Sequence, residues 1–320
     1  MLNTARRSFH ALLLLFGVSL LAFGLLSAAP GNFYDELRLN PQISPETVEA
    51  IKAEYGADRP LPERYGRWLL SVGKGEFGYS VLYREHVGKL IWPRARNTLV
   101  LTLLATLLAW LIALPWGTIE ALYHGGWIDR VGGLATAALL AIPDVLLGLL
   151  LLLFAVKTGW FPTGGLSSVG DGQSQLSLWD LALHLFLPVL ALALGTVPIL
   201  ARHVRSGMIA ALEAPFLQAA RMHGIPKGRM IYRHALPAAL NSLISLFGFT
   251  IGGLLSMSLL IEVVLGWPGL GPLVLDAMLA RDVYVVMAAV MLSSLFLIGG
   301  NLLADALLYW NDPRIRTEPV

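Results

Sequence analysis

The chain has 320 residues, of which 56% are hydrophobic and only 14% are charged, against about 25% charged residues in an ordinary soluble domain. This composition predicts a polytopic membrane protein rather than a soluble protein with a large core. The net charge of +2 gives no sign of a nucleic-acid partner, and the absence of cysteine excludes disulfides, thiolate metal sites and cysteine nucleophiles.

Six long apolar runs predict six transmembrane helices in an all-α protein. Each run reaches the roughly 20 residues that a helix needs to cross a hydrocarbon layer of about 30 Å. The runs lie at 11–29, 98–122, 132–156, 181–200, 238–264 and 284–308. The first run follows Arg6 and Arg7 and ends at a cleavage-like Ser27-Ala28-Ala29, so it also resembles a signal peptide. We favour a retained helix because the run is longer than the usual signal core of about 7–15 residues.

The distribution of Lys and Arg predicts the orientation of these helices, since short loops rich in positive charge stay in the cytoplasm. Loop 157–180 has only Lys157 and loop 265–283 has only Arg281. The basic residues of loop 201–237 are Arg202, Arg205, Arg221, Lys227, Arg229 and Arg233. Both termini and loop 201–237 are therefore predicted to be cytoplasmic.

This topology divides the chain into four parts. They are an N-terminal transmembrane helix (1–29), an extracytoplasmic loop with short amphipathic helices (30–97), a five-helix core (98–308) that contains the cytoplasmic segment 201–237, and a cytoplasmic tail (309–320).

The external loop contains its own helix signals. Ser44-Pro45 predicts the start of one helix, which Gly56 would end, and Pro62 predicts the start of another. Residues 81–96 add an amphipathic stretch ahead of the second span, with apolar side chains at Val87, Leu90, Ile91 and Trp92. These segments are either interfacial helices lying on the membrane or an external cap or gate that meets a partner, and the sequence fits both.

The sequence contains no motif for catalysis or nucleotide binding. The pairs Gly73-Lys74 and Gly88-Lys89 lack the upstream Gly and the following Ser or Thr of a phosphate-binding loop, and neither H-E-x-x-H nor G-x-S-x-G occurs. The seven His are scattered, so no metal site is predicted. We predict a chain that is not an enzyme and binds no cofactor. An intramembrane enzyme would need a nucleophile–base pair, and none is identified.

Acidic residues lie within or beside the apolar runs, at Glu120, Asp144, Glu262 and Asp305. Only Asp144, which follows Pro143, lies near the middle of a predicted span, where a charge costs about 2.5–3.5 kcal/mol on insertion scales. Our hypothesis is that Asp144 and Pro143 line a translocation pathway. A purely structural role, as a protonated or helix-bonded side chain, is the alternative.

The strongest functional signal is the stretch 218–237, which reads "QAARMHGIPKGRMIYRHALP". Just before it, Pro215 is suited to begin a short helix, Gly224 would end that helix, and Pro226 prevents its continuation. The positive-inside rule explains the basic residues of this stretch. It does not explain a short Ala/Gly helix flanked by prolines.

This helix has the composition of a docking element. The small side chains of Ala219 and Ala220 would allow the surface of another protein to approach closely, and Arg221 is suited to pair with acidic residues on that surface. We therefore predict that a partner protein contacts the helix.

The spacing in this stretch resembles the cytoplasmic motif of ATP-binding-cassette importer permeases, which is E-A-A, three residues, Gly, nine residues and I-x-L-P. The chain has Gln218-Ala219-Ala220, then Gly224, then His234-Ala235-Leu236-Pro237 at the same intervals, with Gln218 in place of the Glu and His234 in place of the Ile. Further segments resemble the dipeptide, oligopeptide and nickel branch, and its first membrane subunit most closely, at 43–80, 97–102, 261–282 and 301–316.

The resemblance implies a permease of a bacterial-type inner membrane that forms, with a second homologous permease, the pathway for di- or oligopeptides. Two separate ATPase subunits would use the ATP, and an extracytoplasmic binding protein would deliver the substrate. The implied ATPase-coupling residues are Phe216, Gln218, Ala219, Ala220, Arg221, Gly224, Leu236 and Pro237. Gly224 would act as the hinge of a helix over residues 215–223.

Other functions fit parts of the sequence. The same machine would serve for nickel, another chelated metal or a small solute, because permeases of this branch handle all of these. An exporter built on the same cassette logic would need no external binding protein. A proton-coupled secondary transporter would need an ion relay and usually repeated halves, whereas the sequence has one mid-span acid and no clear repeat.

Overall fold

A computed structural model describes residues 2–28, 44–54, 59–167 and 177–311 of the chain. Their regular structure is helical apart from one short pair of strands. The predicted helix end at Gly56 and most of the predicted tail 309–320 lie outside the described residues.

The elements follow one another in chain order. They are α1 (Leu2–Ala28), α2 (Pro45–Glu54), α3 (Leu61–Val72), β1 (Tyr79–Ser80), β2 (Glu85–His86), α4 (Val87–Leu122), α5 (Trp127–Ala141), α6 (Asp144–Thr158), α7 (Leu178–Glu213), α8 (Pro215–Met222), α9 (Lys227–Met230), a π-helix (Ile231–Ala235), α10 (Leu236–Val264), α11 (Leu270–Leu279) and α12 (Val283–Asn311).

Five of the described helices contain a segment long and apolar enough to cross a membrane, namely α1, α4, α7, α10 and α12. Helices α5 and α6 pass the same test together, but they are bent by 93° at the break between them. The fold is therefore that of an all-α polytopic membrane protein. It has five spans by this criterion, or six if the bent pair crosses as one.

The bend shows that the apolar run predicted as a span at 132–156 is not one continuous helix. Ile142 has an extended backbone, with φ −87° and ψ 119°, because the ring of the following Pro143 disfavours a helical conformation at this residue. Pro143 is extended as well, with φ −59° and ψ 140°, and α6 begins at Asp144. Asp144 therefore lies at the start of a helix and not in the middle of a continuous span.

Two spans extend well beyond their apolar runs. Helices α4 and α7 each have 36 residues, which corresponds to about 54 Å of helix. Because α4 begins at Val87, residues 87–96 of the amphipathic stretch predicted ahead of the second span belong to the same helix, whereas Glu85–His86 form β2. Because α7 continues to Glu213, the first part of the predicted loop 201–237 is helical.

The chain folds as two compact units. The first consists of Met1–Asn97 and Pro268–Leu295, and the second of Thr98–Trp267 and Phe296–Val320. In the first unit, Phe23, Trp68 and Met287 form a buried apolar cluster between α1, α3 and α12. The amphipathic helix α3 therefore packs against α1 and α12 through this cluster.

Asp282, which precedes α12, fixes the strand pair of the first unit. Its carboxylate is 2% exposed and accepts hydrogen bonds from the Ser80 hydroxyl at 2.6 Å and the Leu82 N–H at 3.2 Å. Nearby, the Tyr83 hydroxyl donates to Asp276 of α11 at 3.1 Å. Burial and the neighbouring Asp276 carboxylate raise the pKa of the Tyr83 phenol, which favours the protonated, donating form. These bonds hold the strand pair on α11 and α12.

The second unit is built around α7, which packs against α5, α6 and α10. On α4, small residues recur at every fourth position, at Ala105, Ala109, Ala113, Gly117 and Ala121. Every fourth residue of a helix lies on the same face. Small residues on such a face allow a second helix to approach closely. Ala109 and Ala113 accordingly share a buried cluster with residues of α7.

Gly117 is the tightest point of this α4–α7 contact. A Cβ atom at Gly117 would overlap the carbonyl oxygen of Ala201 and would lie 2.7 Å from Cβ of Val204. We expect Gly117→Ala to cost about 1–3 kcal/mol through overpacking, and to lower the thermal unfolding midpoint of the detergent-solubilised protein. The matched control is Gly253→Ala in α10, where an added Cβ meets no atom within 4 Å. Equal unfolding midpoints for the two variants would contradict the contact.

Candidate functional site

The coupling segment, defined here as residues Pro215–Pro237, starts where α7 ends. Ala214 has an extended backbone, with φ −64° and ψ 142°, because the following Pro215 disfavours a helical conformation at this residue. Pro215 then occupies the first position of α8, where a missing N–H costs nothing. Only one non-helical residue therefore separates α7 from α8, and α8 begins where the sequence predicts.

Leu217 holds α8 on the bundle. Its side chain is fully buried, with 0% exposure, in an apolar cluster supplied by α4, α7, α9, the π-helix and α10. The other buried members are Ala121, Val204, Met208, Ala211, Met230, Ala235, Ala239 and Leu243. Burial of a leucine side chain contributes about 1.5–3 kcal/mol. Leu217 therefore fixes the position of α8 relative to several long helices at once.

Several other side chains of α8 are exposed. Phe216 is 52% and Met222 is 83% exposed, and Arg221 is also exposed. The Gln218 side-chain amide donates to the Glu213 carbonyl oxygen at 3.1 Å, which ties α8 to the last turn of α7. Aromatic, methionine and arginine side chains are enriched at protein interfaces. The exposed surface of α8 thus has the composition of a contact surface.

Gly224 ends α8 in a Schellman motif. The Ile225 N–H donates to the Ala220 carbonyl oxygen at 3.3 Å, and the Gly224 N–H donates to the Arg221 carbonyl oxygen at 3.1 Å. This pattern requires a left-handed residue after the helix, and Gly224 has φ +71°. A Cβ atom at Gly224 would meet no atom within 4 Å. Glycine is therefore favoured here by the left-handed backbone conformation and not by a lack of space for a side chain.

The two alanines predicted to admit a partner are half-buried. The carbonyl oxygen of Ala219 accepts a hydrogen bond from Nδ1–H of His223 at 2.8 Å, and that of Ala220 takes part in the Schellman motif. Both residues therefore contribute their backbones to the end of α8. Close approach of a partner to their side chains stays a prediction.

Pro237 shapes the second half of the segment, where the π-helix runs into α10. Pro237 cannot donate a backbone hydrogen bond, and its ring crowds the carbonyl group of Arg233 four residues earlier. The wider π-turn accommodates this crowding and allows the helix to continue. Leu236 packs against the apolar cluster that buries Leu217. Helix α8 and Leu236, which carry the two ends of the predicted motif, thus pack against the same apolar cluster.

Pro143 and Asp144, the predicted pathway residues, lie at the bend between α5 and α6. Asp144 is half-buried and faces Gly195 of α7. A Cβ atom at Gly195 would lie 2.7 Å from Oδ1 of Asp144 and 2.8 Å from Cε of Met257 on α10. The absence of a side chain at Gly195 therefore gives the carboxylate its space. A role of Asp144 in a pathway stays a prediction.

A charge cluster that the sequence analysis missed joins α5 to α7. Asp129 is 8% exposed and accepts hydrogen bonds from Arg205 Nε at 2.6 Å and Nη2 at 2.8 Å, and from the Gly125 N–H at 2.9 Å. Nδ1 of His124 lies 3.0 Å from both Asp129 Oδ2 and Arg205 Nη2. A single ring nitrogen either donates to the carboxylate or accepts from the guanidinium.

Glu120 of α4, which the sequence analysis named only as an acidic residue beside an apolar run, is also buried here. It is 2% exposed and accepts a hydrogen bond from Trp116 Nε1 at 2.8 Å. The interval of four residues between Trp116 and Glu120 is a signal that the sequence does contain. Asp129 and Arg205 are 76 positions apart, and no local pattern connects them.

Comparison with known proteins places the chain in a family. The family model described as "binding-protein-dependent transport system inner membrane component" matches residues 97–317. The chain is a member of this family. A second model, for the N-terminal part of such membrane components, matches residues 1–102. The permease is thus a multi-pass protein of the inner membrane, and the resemblance found in its sequence is confirmed.

Relatives of the permease match it over nearly its whole length. The oligopeptide transport system permease protein AppB of Bacillus subtilis (strain 168) is 35% identical over 312 residues, which cover 97% of the permease and 98% of AppB. The glutathione transport system permease protein GsiC of Pectobacterium atrosepticum is 31% identical, over 93% of the permease and 94% of GsiC.

A solved structure shares the fold. The inward-facing MetNI methionine ABC transporter matches with a TM-score of 0.53 and 20% sequence identity, over 70% of the permease and 96% of the matched chain.

The Schellman motif predicts different tolerances at Gly224. A left-handed conformation costs an ordinary L-residue about 1–2 kcal/mol, whereas Asn adopts it more readily. We expect Gly224→Val to loosen the end of α8, and tryptic cleavage of the permease after Arg221 and Lys227 to accelerate roughly tenfold. Gly224→Asn should change the cleavage rate far less. If both variants are cleaved at the wild-type rate, the left-handed cap does not hold this segment.

Proposed function

We propose that the permease forms, with a second homologous permease, the translocation pathway of an ATP-binding-cassette importer for di- and oligopeptides. Two separate ATPase subunits bind and hydrolyse the ATP, and an extracytoplasmic binding protein delivers the substrate. The chain itself is a transport permease and supplies no catalytic group to ATP hydrolysis. The observation that carries this proposal is the coupling segment, in which an exposed short helix is anchored in the bundle.

The geometry of α8 suits it to transmit force. Its exposed side chains, Phe216, Arg221 and Met222, are available to a partner, whereas Leu217 is buried. A displacement applied to the exposed surface of α8 is therefore passed to the cluster around Leu217. Because Leu217 is buried in that cluster, α8 has little freedom to move alone. An exposed loop without such an anchor would absorb the displacement instead.

The cluster around Leu217 connects α8 to three long helices. Ala121 belongs to α4, Met208 to α7 and Leu243 to α10. A second connection is direct, because only Ala214 separates α8 from α7. Movement of the ATPase subunits would thus tilt these helices together and change access to the pathway. Gly224 then acts as the hinge at the end of the short helix.

The choice of peptides as substrate rests on the relatives. AppB and GsiC are named for oligopeptide and glutathione transport, and glutathione is itself a small peptide. Both match the permease over more than nine-tenths of its length. A pathway that accepts peptides is therefore the favoured proposal over one for nickel, another chelated metal or another small solute.

Phe216→Ala tests the coupling proposal. The side chain is half exposed, so its loss should leave the fold intact but remove an aromatic anchor, which at protein interfaces costs 2 kcal/mol or more, roughly a thirtyfold loss of affinity. In proteoliposomes that contain the complete complex, we expect uptake of a labelled dipeptide to fall at least about tenfold.

The control for this experiment is Phe9→Ala, the same substitution at a side chain of α1 that is 62% exposed. Normal peptide uptake by Phe216→Ala, and by the disruptive Ala220→Glu, would refute the docking role of α8. Saturable uptake of labelled nickel but not of peptide would instead refute the substrate and leave the coupling role intact.

Asp144→Asn tests the pathway hypothesis separately. The substitution preserves shape and removes the charge, so we expect an altered concentration dependence of peptide uptake if the carboxylate meets the substrate. Uptake would be measured at limiting and saturating peptide. Wild-type rates at both concentrations would leave Asp144 with a structural role beside Gly195.

A further inference from the structure

A groove opens in the second unit beside the charge cluster of Asp129 and Arg205. Its volume is about 730 Å³, within the range of about 300–1,000 Å³ that is typical of small-molecule sites. Parts of α4, α5 and α7 line it, and the lining includes three arginines, Arg130, Arg202 and Arg205, and two acids, Glu120 and Asp129. Neither the Leu217 cluster nor Asp144 belongs to this groove.

Protein groups already contact the two acids. Asp129 accepts the forked pair of hydrogen bonds from Arg205, and Glu120 is buried and accepts the Trp116 N–H. Arg130 and Arg202 are exposed, and neither forms an ion pair with any residue that the structure describes. The groove therefore presents two accessible guanidinium groups, which favour an anionic occupant.

The groove lies where the helices pass from apolar to charged residues. The apolar run of α7 ends at Leu200, just before Arg202, and α5 becomes apolar just after Arg130. Beside the arginines, Leu134 is 71% and Val131 is 55% exposed. Such a boundary between apolar and charged residues marks the headgroup level of a bilayer.

Of these exposed apolar side chains, Leu134 lines the groove together with the arginines, and Val131 lies on the same helix outside the lining. Trp127, at the first position of α5, is 75% exposed, and tryptophan is enriched at membrane interfaces. A free inorganic anion would gain no binding energy from these apolar side chains. A lipid has both a charged headgroup and acyl chains, and its charge is opposite to that of the two arginines.

We propose that the groove is a binding site for one anionic phospholipid. Arg130 and Arg202 bind the phosphate oxygens, since guanidinium groups match phosphate in charge and geometry, and basic pockets between membrane helices are suited to anionic headgroups. The acyl chains lie along Val131 and Leu134. Arg205 remains paired with Asp129 and holds α5 against α7. The proposal does not depend on which substrate the permease carries.

The occupant can be measured directly. The full chain would be reconstituted in nanodiscs that contain phosphatidylglycerol and phosphatidylcholine, extracted in mild detergent, and examined by native mass spectrometry for retained lipid. We expect one retained phosphatidylglycerol per chain. The double variant Arg130→Gln and Arg202→Gln should weaken this retention roughly 25-fold, at about a fivefold loss for each surface arginine.

Two further variants separate lipid binding from general charge and from misfolding. Arg229→Gln with Arg233→Gln removes two exposed arginines outside the groove and should leave retention unchanged. Gly133→Leu adds a side chain to the lining at a position where a Cβ meets no atom within 4 Å. It should exclude the lipid while the thermal unfolding midpoint in lipid-free detergent stays at the wild-type value.

The proposal is overturned by any of three results. The first is equal retention of phosphatidylglycerol by wild type and by both groove variants. The second is an equal loss in the Arg229 and Arg233 control. The third is displacement of the bound lipid by millimolar inorganic phosphate, which would identify a free-anion site instead.

Discussion

The ring of proline, which disfavours a helical conformation at the residue before it, sets two of the main helix breaks in the second unit. Pro143 forces the residue before it out of the helical conformation, and a 93° bend follows. Pro215 ends α7 in the same way and begins α8, and Pro226 precedes α9. Pro188 and Pro198 lie inside α7 without ending it, and both are buried. The interruptions at Pro143 and Pro215 occur at the bend and at the start of the coupling segment, the two places where the sequence predicted functional residues.

Helix α7 connects the bend between α5 and α6 to the coupling segment. Through Gly195 it makes room for Asp144, through Arg205 it holds Asp129 at the start of α5, and through Ala214 it continues into α8. At about 54 Å it is much longer than a hydrocarbon layer is thick. A change of its tilt would therefore move the bend, the charge cluster and the coupling segment together. One continuous helix thus gives a physical route between the docking surface and the residues at the bend.

The coupling helix was predictable because its signals are local. Pro215, Gly224 and Pro226 each restrict the backbone at their own position, so the start and end of α8 could be predicted from the sequence. The resemblance to importer permeases added the motif and the family. Such restrictions do not depend on the rest of the fold, and the structure places the helix accordingly.

Features that depend on distant parts of the chain could not be predicted in this way. Hydropathy merged α5 and α6 into one span, because both helices are apolar and a proline within a span does not reveal the angle of a bend. Arg205 was assigned to a loop, since its partner Asp129 is 76 positions away. The burial of Leu217, and the exposure of its neighbour Phe216, follow from packing against α7 and α10.

The Schellman motif also fixes how far Leu217 stands from Gly224. Each residue of an α-helix turns the chain by about 100°, so one inserted or deleted residue inside α8 would rotate its two ends relative to each other. Either Leu217 would leave its cluster, or the left-handed position would pass to a residue other than glycine. Surface segments usually tolerate changes of length. Here, substitutions on the exposed side of α8 are compatible with the architecture, but a change in its number of residues is not.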